Sequence, residues 1–119
     1  MAPAATLSTS DTDLFIAEVE AEDLRQDSAA GEVILVDVRE DEEFAEEHIP
    51  GALHLPLSRL DPITLHFAAN GRRVVLHCLS GGRSAKAGAC LRSAGHMDIA
   101  HLRGGLLAWK AAGGETSGS

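Results

Sequence analysis

The sequence predicts a single α/β domain in three layers, with a central, mainly parallel sheet flanked by helices. Three observations predict it. Val33–Val38 reads as a buried strand and Val74–Leu76 is an unbroken apolar run rather than an alternating one, as expected of strands buried on both faces. Segments of helical period separate these runs from each other and from a third at Ile99–Leu102, so the connections are parallel crossovers. Cys78 closes the second run and is followed by a glycine turn and a helix start, the place where open α/β sheets put their ligands.

Taken in order, residues 1–13 are small, polar and aperiodic and are expected to form a flexible leader before a domain spanning 14–113. Phe15, Ile16 and Val19 suggest a short entry strand, and Glu20–Asp27 a helix with acidic residues at the end where they suit the dipole. Glu40–Glu47 reads as a short helix with Phe44 as its buried anchor. Pro50-Gly51 turns the chain into a short strand, Ala52–Leu55, ended by Pro56. Ser58–Ala69 looks helical with Ser58 as N-cap, although Pro62 moves the true start toward Asp61, and Asn70-Gly71 is the stop. The helix Ser84–Ala94 places Ala87, Cys90, Leu91 and Ala94 on one face, which makes Cys90 a core residue. Gly95 ends it. After Ile99–Leu102, Gly104-Gly105 turns into a last helix, Leu106–Ala112, anchored by Trp109, and 114–119 is expected to be a flexible tail.

With 119 residues and 45% hydrophobic composition, the chain is long enough for one core. No apolar run approaches the ~20 residues that span a bilayer, and the N-terminus lacks a secretory pattern, so a cytoplasmic protein without a membrane partner is expected. Two cysteines are too sparse for a disulfide framework and suit a reducing compartment. Of the 18 acidic residues 15 lie in residues 1–50, whereas residues 51–119 carry 8 of the 10 basic ones. The net charge of -8 argues against nucleic-acid binding, yet a basic second half permits a locally positive mouth for a small anion.

The chemistry concentrates at Cys78. Backbone N–H groups of Leu79, Ser80, Gly81 and Gly82, and of the helix start Arg83-Ser84, can point at its sulfur, and the helix dipole adds positive charge there. Such placement lowers a thiol from ~8.5 to roughly 3.5–7.5. Gly81 and Gly82 permit a curled loop, and Arg83 supplies a fixed charge for an anionic substrate. Asp37 and Arg39 lie two apart on an extended segment, where they can pair or orient neighbouring loops. The six histidines show no zinc-like spacing, so no metal and no cofactor are expected. His77 adjoins Cys78 but points to the opposite face of its strand, and His48 is expected to be a hydrogen-bonded packing residue. Cys90 lies twelve residues from Cys78, too far for a Cys-x-x-Cys redox motif.

The segment His77–Ser84, HCLSGGRS, resembles the C-x-x-G-x-R active-site loop of the rhodanese, or sulfurtransferase, superfamily. Val36–Glu40, Glu42–Leu57 and Leu102–Gly113 are similar to further rhodanese segments in the family's order, with Glu47 where glycine is common. The resemblance implies the rhodanese fold, with Asp37-x-Arg39 chiefly structural. It also implies a Cys78 persulfide that carries sulfur from thiosulfate or another small anionic donor to a thiol or cyanide, with a protein as a further acceptor and a monomer or weak dimer as the assembly. Leu79, Ser80, Gly81, Gly82, Arg83 and Ser84 would bind the substrate. Three rivals stay open: a persulfide relay module serving a protein partner, a phosphatase- or arsenate reductase-like enzyme, and an inactive scaffold. The second is disfavoured because only four residues separate Cys78 from Arg83, one short of the H-C-x5-R loops that cradle a tetrahedral oxyanion.

Overall fold

The computed structural model describes residues 16–95 and 98–118. The expected leader 1–13, and Phe15 of the entry strand, lie outside these residues. In chain order the elements are β1 (Ala17–Val19), α1 (Ala21–Ala29), β2 (Val33–Asp37), α2 (Asp41–Glu46), β3 (Leu53–His54), a 3-10 turn at Leu57–Arg59, α3 (Pro62–Ala69), β4 (Arg73–His77), α4 (Gly82–Ser93), β5 (Ile99–Leu102) and α5 (Gly105–Ala111). No helix among the described residues is long and apolar enough to cross a membrane.

The strands form one sheet in the order β1-β5-β4-β2-β3, parallel throughout. Leu35 of β2 pairs with Val75 of β4, and Val75 in turn with Ala100 of β5, so the apolar runs stand side by side. Alternation along β4 divides the core. Val75 joins Leu24, Leu106 and Trp109 on the face covered by α1 and α5, while Val74, Leu76 and Cys78 join Leu65, Ala87 and Leu91 on the face covered by α3 and α4. Each fully buried leucine contributes roughly 1.5–3 kcal/mol of transfer free energy. This is the expected three-layer fold.

The topology also sets the site. From β2 the chain leaves toward β3, and from β4 it leaves toward β5, so the connections at the carboxyl ends of these neighbours diverge. The crevice between them is the switch point where such sheets bind ligands. Cys78 follows β4 there, and Asp37 and Arg39 close β2.

Four expectations are corrected. Cys90 is exposed, not core. The buried residues of α4 are Ser84, Ala87, Gly88, Ala89 and Leu91, which keeps Ala87 and Leu91 of the expected stripe but turns Cys90 outward, because Gly88 leaves room for the side chain of Ile16 and Ser84 is held by polar partners. Ser58 sits in the 3-10 turn, and the N-cap of α3 is Asp61, which accepts from Ile63 N–H at 3.1 Å and Thr64 Oγ1 at 2.9 Å, with Pro62 in the first turn. Asn70 ends that helix in the left-handed conformation, as its place before Gly71 suggests. Phe44 is half-buried rather than a core anchor, stacked on His48 at 4.0 Å and His54 at 4.3 Å between ring centroids.

The fourth correction concerns the tail. Glu115 O accepts from Trp109 Nε1 at 2.7 Å, Thr116 Oγ1 donates to Glu47 at 2.8 Å, and Ser117 exchanges two backbone hydrogen bonds with His48. Residues 115–117 therefore pack along the domain as an extended strap. The indole N–H and the edge at His48 needed acceptors and donors, and the polar tail supplies them.

Candidate active site

Cys78 directly follows β4 with its side chain buried, 1% exposed, beneath the loop that leads into α4. Gly81 N–H donates to Sγ at 3.1 Å and Ser84 N–H at 3.4 Å. Gly81 has φ +112, a left-handed conformation that turns its amide inward and that only glycine adopts without strain. Ser84 lies in the first turn of α4, where its amide has no partner within the helix and the dipole is positive. Burial pushes the Cys78 thiol up, but the Ser84 amide and hydroxyl and the amides of Gly81 and Arg83 outweigh it and bring the thiol below its ordinary value. The site therefore favours a thiolate.

The loop is held from behind by the glycine pair that opens α5. Leu106 N–H donates to Cys78 O at 2.9 Å and Leu107 N–H to Leu79 O at 3.1 Å, so the free amides of one helix cap the carbonyls of the cysteine loop. Gly105 makes this approach by having no side chain.

Arg83 forms a two-pronged ion pair with Glu43 at 2.8 and 2.9 Å. Glu43 is positioned by a capping box at the start of α2, where it accepts from Glu40 N–H at 3.0 Å. The Arg83 hydrogen bonds, against burial, hold Glu43 down to about 2. Since Glu43 titrates lower in the fold than in the unfolded chain, the pair's contribution is full above about pH 4.5 and fades as pH falls through about 2. Both partners are partly exposed, so that contribution is below about 1 kcal/mol.

Asp37 and Arg39 pair as their spacing allows. Arg39 Nε lies 3.0 Å from Asp37 Oδ1 and Nη2 lies 2.8 Å from Oδ2, with both residues buried. Arg39 also donates to Glu47 O at 2.6 Å. His77 Nε2 stands 3.4 Å from Asp37 Oδ2 without a hydrogen bond, and its Nδ1 lies 3.1 Å from Cys78 O, away from the sulfur. Burial holds this imidazole below its usual range, with Asp37 opposing. His77 is thus no base for Cys78. His48 Nδ1 lies 2.7 Å from Phe44 O, a packing role as expected.

Of the residues expected to bind substrate, the structure brings Gly81, Arg83 and Ser84 to the sulfur, while Leu79 is partly exposed at the rim. Ser80 and Gly81 line a cavity of about 540 Å³ on the β1 and β5 side of the loop. Sequence reasoning missed Glu43, the partner of Arg83, and a second group beside Ser84. His101 Nδ1 lies 3.0 Å from Ser84 Oγ, and His101 Nε2 lies 3.1 Å from Glu18 Oε2. The one signal available was that His101 stands near the carboxyl end of a predicted strand.

The domain is thus an α/β fold whose buried cysteine sits in an amide-lined loop at the switch point of a parallel sheet, an arrangement that suits a thiolate. Residues 20–112 match the rhodanese-like domain model, and the chain belongs to that family. It is 53% identical over 106 residues to an uncharacterized protein of Synechocystis, covering 89% of this chain but spanning only 57% of that relative's length. It is 42% identical over 96 residues to a sulfurtransferase of Allochromatium vinosum, covering 80% of this chain and 89% of the relative. The solved thiosulfate sulfurtransferase of Pseudomonas aeruginosa superposes with a TM-score of 0.77 at 35% identity, over 87% of this chain and 20% of that one.

Proposed function

We propose that the chain is a sulfurtransferase that moves a sulfane sulfur through a persulfide on Cys78. The observation that carries this reading is the sulfur itself, buried at 1% exposure yet facing amide donors from Gly81 and Ser84. Those donors favour an anion at Sγ before reaction and on the outer sulfur after it. The Allochromatium relative bears the name sulfurtransferase, which agrees with the reading.

The Cys78 thiolate attacks the outer sulfur of thiosulfate. A bond forms between Sγ and that sulfur, the donor's S–S bond breaks, and its electron pair leaves on sulfite. An acceptor thiolate or cyanide then attacks the outer sulfur of the persulfide and releases Cys78 as thiolate. Burial of Cys78 at 1% exposure disfavours bulky electrophiles. A reducing, cytoplasmic setting suits a thiol that must return to this state each cycle.

The test is intact mass after incubation with thiosulfate, for the parent and for Cys78→Ser. One sulfur atom gained by the parent alone, and removed by cyanide, is the expected result. No gain in the parent overturns thiosulfate as donor, and a gain in Cys78→Ser overturns Cys78 as carrier.

The ion pair with Glu43 gives a second prediction. Glu43→Gln leaves the Arg83 charge unbalanced beside the site and is expected to lower KM for thiosulfate about threefold at low salt, the gain shrinking as salt screens it. A KM that is unchanged or raised in steady-state assays would show that Glu43 serves to position Arg83 and that its charge does not weaken donor binding.

A further inference from the structure

A polar chain leads from the buried thiol to solvent. Cys78 Sγ lies 3.6 Å from Ser84 Oγ, Ser84 Oγ 3.0 Å from His101 Nδ1, and His101 Nε2 3.1 Å from Glu18 Oε2. Ser84 and His101 are buried, at 0% and 4% exposure, whereas the Glu18 side chain is half exposed. Glu18 and His101 also line the 540 Å³ cavity beside the loop, together with Arg103. The chain therefore has one end on the sulfur and the other in water.

The hydrogen-bond directions follow from the chemistry of the groups. A carboxylate only accepts, so His101 Nε2 carries a proton and donates it to Glu18, which leaves the Nδ1 lone pair facing Ser84. Ser84 can then donate to Nδ1 while its oxygen accepts from the Cys78 S–H. Its alternative acceptor, Gly81 O, is farther away at 3.2 Å.

We propose that His101 is a positioning residue that takes the Cys78 proton through Ser84 and holds the resulting ion pair. The thiol proton passes to Ser84 Oγ as the hydroxyl proton passes to His101 Nδ1. The chain then runs in reverse: imidazolium Nδ1–H donates to Oγ, and Oγ–H donates to the thiolate. Glu18 balances the imidazolium. Facing His101 are Glu18 from β1, Ser84 from α4 and, at the end of its own strand, Arg103, whose charge is paired with Glu20 at 3.4 Å. This deepens the sulfur-transfer reading, since a nucleophile so deeply buried needs a route for its proton.

The test uses thiolate ultraviolet absorbance against pH in a Cys90→Ser background, for His101→Asn, Ser84→Ala and their double variant. Asparagine can keep a hydrogen bond to Ser84 but cannot take the proton. At about pH 6 the thiolate fraction is expected to fall about tenfold in His101→Asn, with convergence on the parent at about pH 10 where the thiol ionises unaided. Ser84→Ala should fall further, because it also loses a direct hydrogen bond to sulfur, and adding His101→Asn to it should change nothing more. A His101→Asn titration that superposes on the parent, or additive losses in the double variant, overturns the relay. Should His101→Asn not fold, Glu18→Gln on the half-exposed side decides the matter: about a threefold loss of thiolate at about pH 6 supports the relay and no change overturns it. The readout involves no sulfur donor, so a parent that ionises as described but gains no sulfur from thiosulfate would defeat the functional reading and leave the relay standing.

Discussion

Arg39→Leu is expected to remove about 3–5 kcal/mol of stability, the cost of leaving one member of a buried ion pair without the other. Asp37 is fully buried and Arg39 is 3% exposed, so water cannot take the place of the lost guanidinium. After the substitution Asp37 would retain the Arg39 backbone N–H at 2.9 Å and the unaligned His77 ring, too little to solvate a carboxylate. Glu47 O would lose its 2.6 Å donor as well. On a domain of this size the loss corresponds to a melting temperature lower by roughly 10–20 °C. Urea unfolding of Arg39→Leu, Asp37→Asn and the double variant measures it. The double variant should lose less than the sum of the singles, because removing both charges leaves neither stranded. Additive losses, or an unchanged midpoint in Arg39→Leu, would mean that this pair does not hold the carboxyl end of β2.

Gly105→Ala is expected to disable the cysteine loop more than it destabilises the domain. A methyl group built at Gly105 would stand 2.6 Å from Cys78 O and 2.5 Å from Leu79 O, and both obstacles are backbone. Neither can swing away as a side chain could. The φ of +59 adds strain for alanine of about 1–2 kcal/mol. Relief requires the loop to separate from the start of α5, which breaks the hydrogen bonds from Leu106 and Leu107 to the Cys78 and Leu79 carbonyls. The loop would then lose the shape that aims Gly81 N–H at the sulfur. We expect persulfide formation to slow by a factor of about 100, in the range that loss of one preorganised anion donor produces, with a stability loss of about 2–4 kcal/mol. Gly104→Ala is a useful contrast, because its added methyl would meet the side chain of Ala108 rather than the cysteine loop. Equal slowing in both variants would indicate that general disorder at the turn, and not loop displacement, is responsible.

Much of the molecule was legible because its signals are local. Buried parallel strands need largely apolar runs, and Val33–Val38, Val74–Leu76 and Ile99–Leu102 supply them, interrupted by Asp37 and His101 alone. A strand-end cysteine before glycines and a helix start can put amides only where a thiolate would use them, so Cys78, Gly81 and Ser84 could be named from their order. The pairing of Asp37 with Arg39 was one of two arrangements that two residues of spacing on an extended segment allowed. Phe44 and Cys90 misled for the opposite reason. Hydrophobic character marks residues that can be buried, but α4 buries Gly88 and Ser84 because Ile16 and the active site meet them from distant parts of the chain.

The sequence by itself determined the α/β class, the position of the strand-end cysteine and the amide-rich loop around it, since each rests on the order of neighbouring residues. Only the tertiary structure decided which charges and protons the site works with. Glu43 reaches Arg83 across forty positions, and Glu18 reaches His101 across eighty-three. The cause is the strand order: β5 lies between β4 and β1, so the parallel crossover places His101 level with Leu76 and opposite Glu18. No local pattern encodes that adjacency, because it follows from how the whole sheet buries its two faces.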